Sequence, residues 1–93
     1  APVIENTIRR AHALGIRIAT GADTDYGAES TTRIAHEILR FAQLGMTPVE
    51  ALATATSGAA TLLGIADRTG KIAEGMEADL ILVEQDPLEH LAT

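Results

Sequence analysis

Three glycines set the layout of this 93-residue chain. Gly15, Gly45 and Gly64 each stand where a stripe of apolar residues at helical spacing stops. A glycine there ends a helix by taking the left-handed conformation that other residues resist. Before Gly15 the stripe is Ile4, Ile8 and Ala11, with Arg9, Arg10 and His12 off it, which predicts a helix over 3–14. Before Gly45 it is Ile34, Ile38, Phe41 and Leu44, with Ser30 or Thr31 as the N-cap. Between Gly45 and Gly64 two short helices are expected. Thr47-Pro48-Val49-Glu50 supplies a capping hydroxyl, a proline at the first helical position and a glutamate three residues after the cap, which together make a capping box. That helix should run to 54 or 56. Ser57 offers a cap for the next, over 58–63.

Other segments read as extended. Ile16-Arg17-Ile18-Ala19-Thr20 is rich in β-branched residues and follows the first glycine turn, so residues 1–20 read as a helix-to-strand unit of an α/β fold. Residues 21–29 form a polar loop with two glycines and three acids. Beyond Gly64 the texture changes. Turns at 67–70 and 73–75 flank a short strand near Lys71-Ile72, and 78–83 reads as a buried strand. Asp86-Pro87 ends it, and Leu88 to Leu91 can add a helical turn. No repeat and no low-complexity segment interrupts this order.

Composition narrows the function classes. Tyr26 and Phe41 are the only aromatics, so alanine and aliphatic side chains must fill the core, and base stacking has little to work with. A net charge of −6 disfavours phosphate backbones and anionic membrane surfaces, and so argues against nucleic-acid or membrane partners. The absence of cysteine excludes disulfides and thiolate metal sites and agrees with a cytoplasmic location. No apolar run approaches the roughly 18 residues of a membrane span. The opening residues, Ala1-Pro2-Val3-Ile4-Glu5-Asn6, resemble neither an initiator sequence nor a signal peptide, and read as a chain entered part-way.

Three stretches carry a resemblance. The first is Gly15-Ile16-Arg17-Ile18-Ala19-Thr20-Gly21-Ala22-Asp23. The second is Gly45-Met46-Thr47-Pro48-Val49-Glu50-Ala51-Leu52-Ala53-Thr54-Ala55-Thr56, followed by the helix up to Gly64. The third is Gly70-Lys71-Ile72-Ala73-Glu74-Gly75-Met76-Glu77-Ala78-Asp79-Leu80-Ile81-Leu82-Val83, with Asp86-Pro87-Leu88 after it. In this order and spacing they resemble the C-terminal end of the amidohydrolase superfamily, in its imidazolonepropionase-like and prolidase-like branch. The resemblance covers nearly the whole chain. It implies the last helix-strand unit of a metal-dependent (β/α)8 barrel, then C-terminal helices, then strands returning to a small β domain. On that reading residues 1–66 end the barrel, with the last strand at about 16–20, and residues 67–93 re-enter the β domain.

The same resemblance implies one or two divalent metal ions, zinc the first choice, with most ligands on strands outside these 93 residues. The position it transfers is the acid after the last strand, which is Asp23. The residue chemistry agrees. A group just beyond a strand's C-terminal end faces the open side of a barrel. A carboxylate there can ligate a metal and take a proton from an attacking water. The family has Thr where this chain has Ala22, so one hydroxyl near Asp23 is lost. Asp23 is therefore the expected catalytic residue and metal ligand of an enzyme cleaving a C–N bond in a cyclic amide or small peptide-like substrate. The 93 residues alone are expected to be inactive, and to self-associate or require the rest of a barrel.

Other residues have plainer roles open to them. Tyr26 is a candidate substrate contact and equally a packing aromatic. Asp25 lies two residues further from the strand and reads either as solvated or as a residue touching the site's own ligands. A calcium loop starting at Asp23 fails, because the required Gly and Glu positions hold Ala28 and Ile34. His12, His36 and His90 do not cluster and read as surface residues. Arg33 could reach an anionic group but suits a solvated helix start. Asp79 reads as a residue bonding its local backbone.

Overall fold

The computed structural model describes residues 2–21 and 33–89. They form four helices: α1 (Pro2–Ala13), α2 (Arg33–Gln43), α3 (Pro48–Ala53) and α4 (Ser57–Leu63). The glycine punctuation is realised at every expected point. Gly15, Gly45 and Gly64 have φ of 76°, 117° and 76°. After each of them the next amide reaches back five residues: Ile16 to the Ala11 carbonyl at 3.0 Å, Met46 to Phe41 at 3.2 Å, and Ile65 to Ala60 at 2.9 Å. These bonds satisfy carbonyls that a helix end leaves open and turn the chain sharply aside.

The capping box of α3 is formed in both directions. The Glu50 amide donates to Thr47 Oγ1 at 3.2 Å, and the Thr47 amide donates to Glu50 Oε1 at 2.8 Å. At α4 the expectation needs correcting. Thr56 is the N-cap, without a side-chain cap bond, and Ser57 is already helical. The reason is the closeness of α3 and α4. A Cβ on Gly58 would lie 2.8 Å from the Ala53 carbonyl oxygen, so the connection is too tight for a separate capping residue at 57.

The core gathers Phe41, Met46 and Ala51, with Ile8, Ile18, Ile38 and Ala42 packed around them. It therefore joins α1, segment 16–20, α2 and α3 through one aromatic ring and aliphatic side chains, as the composition requires. Ala51 is fully buried, which lets α3 approach α2 closely. At the surface Arg40 of α2 pairs with Glu5 of α1, and His12 of α1 with Glu50 of α3.

No strand is present among the described residues. Segments 16–20, 71–72 and 78–83 follow the sequence signature of strands but have no ladder partner, and unpaired backbone in water does not become a sheet. The correction is sharpest at 78–83, expected to be buried. Leu80, Ile81 and Leu82 are 61%, 90% and 99% exposed. The chain is instead closed locally at 65–77, where the Glu77 amide donates to the Arg68 carbonyl at 2.7 Å and the two side chains pair at 2.8 Å. At the end, the Leu88 amide bonds Asp86 Oδ1 at 2.9 Å, and the helical turn expected over 88–91 lies partly outside the described residues.

Candidate functional site

The expected catalytic loop begins where segment 16–20 ends. Asp23, Asp25 and Tyr26 lie outside the described residues, but the point from which the loop departs is well defined. Two successive amides are held there by different helices. The Thr20 amide donates to the Thr54 carbonyl at 2.9 Å, and Thr20 Oγ1 approaches the same oxygen at 3.4 Å. Thr54 caps the end of α3 and is itself buried, with Oγ1 donating to the Ala51 carbonyl at 2.6 Å. One residue on, the Gly21 amide donates to Glu37 Oε1 of α2 at 3.3 Å. The other carboxylate oxygen, Glu37 Oε2, is buried and has no hydrogen-bond partner among the described residues.

Glu37 was not singled out in the sequence. A signal was present, because Glu37 falls between Ile34 and Phe41 at helical spacing and so places an acid inside an apolar stripe.

A second polar link lies nearby. His12 Nε2 sits 3.2 Å from Glu50 Oε2, so His12 is engaged with another helix rather than simply solvated. The carboxylate of Glu50 thus serves two neighbours, capping α3 with one oxygen and meeting α1 with the other. The Thr47 amide, then the His12 and Thr47 side chains, hold its carboxyl below the ordinary glutamate value. Beside it opens a cavity of about 260 Å³, whose lining includes Arg17, Ala19, Glu50, Thr54 and Thr61. A larger apolar groove of about 600 Å³ runs between α2, α3, α4 and residues 69–87. Asp79 lines that groove and forms no hydrogen bond to local backbone among the described residues. Its charge instead reinforces the Glu77 bond that raises the pKa of Arg68.

His36 is exposed on α2, and His90 lies outside the described residues. Among the described residues no three His, Cys, Asp or Glu side chains converge as a metal site, so these residues do not by themselves fit a bound metal. No helix among them is long and apolar enough to cross a membrane.

Comparison with known proteins adds a family pattern. The model of the family described as "Amidohydrolase family" matches residues 4–93. The chain is 40% identical over 78 residues to an ochratoxinase of Aspergillus niger, covering 83% of this chain and 16% of that protein. It is 36% identical over 85 residues to an imidazolonepropionase of Streptomyces griseus subsp. griseus, covering 90% of this chain and 22% of that protein. An imidazolonepropionase of Geobacillus kaustophilus is 35% identical over 75 residues, 80% of this chain and 18% of its own length. The chain thus spans about a fifth of the length of these relatives. No solved structure matches it.

Proposed function

We propose, because this chain belongs to the amidohydrolase family, that the whole protein hydrolyses a carbon–nitrogen bond of a cyclic amide or small peptide-like substrate. The observation that carries this reading is the family match over residues 4–93, with relatives named ochratoxinase and imidazolonepropionase. Within it, segment 16–20 is the last strand of a (β/α)8 barrel, residues 1–66 close that barrel, and residues 67–93 lead into a small β domain. Asp23 follows the segment at the position of the family's last catalytic acid. It is the proposed general base, taking a proton from the attacking water and returning it to the leaving amine, and the proposed ligand of a divalent metal, zinc the first choice. When bound, such a metal supplies an activated water. Tyr26 is the proposed substrate contact.

The test uses the full-length protein that carries this chain. It is assayed with imidazolonepropionate, ochratoxin and a set of dipeptides, with and without a chelator. Hydrolysis of at least one is expected, lost on chelation. Asp23→Asn should lower kcat by at least about a hundredfold, the scale of a lost general base. Near-normal turnover of that variant refutes the assignment of Asp23.

A second reading concerns the 93 residues by themselves and rests on their exposed apolar side chains. Val3, Leu14, Leu62, Leu63, Ile81 and Leu82 are all solvent-facing. As an isolated piece the chain is inactive and self-associating.

A further inference from the structure

The two amides at the end of segment 16–20 are not held alike. Thr20 is tied to a backbone carbonyl, a group that every residue at position 54 would carry. Gly21 is tied to a side chain, and that side chain is a carboxylate whose second oxygen is buried without a partner among the described residues. Burying a carboxylate oxygen without a partner is costly, and a helix surface offers easier places for an acid. Leucine at position 37 would continue the stripe of Ile34 and Phe41 and remove that cost. The acid is therefore poorly explained as packing. It is better explained by what it holds, the amide two residues before Asp23. A charge-assisted bond to that amide fixes the plane of the 20–21 peptide, and with it the direction in which the chain leaves.

We propose that Glu37 is a positioning residue of the reaction: its bond to the Gly21 amide fixes the direction in which the chain leaves segment 16–20, two residues before Asp23. The proposal rests on the reading of Asp23 above. Glu37 does not touch substrate. It acts through the backbone, and the property required of it is an acceptor oxygen at the right distance, not its charge as such. Glutamine keeps that oxygen, whereas leucine keeps the bulk and removes it.

The experiment compares Glu37→Leu, Glu37→Gln and Asp23→Asn in the full-length protein. Steady-state kinetics on whichever probe above is turned over are combined with hydrogen exchange at the Gly21 amide. Glu37→Leu should lower kcat by about tenfold to a hundredfold with KM within a few-fold, as displacement of a reacting group does. It should also speed exchange at Gly21. Glu37→Gln should restore most of kcat and slow exchange again. If Glu37→Leu leaves kcat and exchange unchanged, the proposal is overturned. It is also overturned if Glu37→Gln is no better than Glu37→Leu. If Asp23→Asn stays active, or the unaltered protein hydrolyses none of the probes, the underlying reading fails instead, whatever the Glu37 variants do to exchange.

Discussion

Single side chains in this molecule often serve two elements at once. Glu50 is the clearest case, closing the capping box of α3 while meeting His12 of α1. Its carboxyl titrates below the ordinary value of 4.5 in the folded chain. A lowered folded pKa means that the ionised form is favoured by folding. The stabilisation is therefore fully present above the unfolded value and is lost as pH falls through the lower folded one. Acid unfolding should accordingly steepen below about pH 4.5, and Glu50→Gln should flatten that part of the curve in a pH series of thermal melts. Thr47→Ala tests the other half of the box. It should cost about 1 kcal/mol at neutral pH by denaturant titration, the usual worth of a capping hydroxyl. The box was legible in Thr47-Pro48-Val49-Glu50 because every partner lies within one turn. The His12–Glu50 pair was not, since it joins residues 38 apart in sequence and depends on how α1 lies against α3.

At the scale of elements, helices were readable and strands were not. A helix satisfies its own backbone, so the stripes ending at Gly15, Gly45 and Gly64 and their local caps are enough to place α1 to α4. A strand needs a neighbour, and β-branched residues at 16–20 or 78–83 cannot provide one by themselves. The departure from Ser57 to Thr56 as the cap of α4 lies in the tight connection from α3, where Gly58 comes up against the Ala53 carbonyl. Of the site, Asp23 and Tyr26 follow from pattern and resemblance, whereas the sequence marks Glu37 only as an acid inside an apolar stripe and its bond to Gly21 depends on the packing of α2. Another glycine shows how closely the elements fit. Gly70 has φ of 100°, and a Cβ there would lie 2.7 Å from Ala60 Cβ and 3.1 Å from the Thr56 carbonyl oxygen. Gly70→Ala should therefore destabilise the packing of 69–72 on α4 by about 1–3 kcal/mol, from backbone strain and overpacking together. A drop in melting temperature, with helix content retained below the transition, is the measurement that checks it.

The whole molecule has a small core and a large apolar exterior. Phe41, Met46 and Ala51 are its centre, while Ile81 and Leu82 project into solvent. Apolar surface of this extent drives association. Sedimentation of the isolated 93 residues should show mass rising with concentration. Replacing Ile81 and Leu82 by serine should shift the distribution toward the monomer, and monomer at all concentrations in the unaltered chain would contradict the expectation. The grip on residues 20 and 21 has a consequence for the order of events during synthesis. Both partners, Glu37 and Thr54, come later in the chain than the residues they hold. A ribosome delivers residues from the N-terminus onward, so Thr20 and Gly21 emerge with nothing to bind. The second anchor becomes available only after a further 34 residues have been added. A nascent chain halted between Glu37 and Thr54 would hold the partner of Gly21 but still lack that of Thr20.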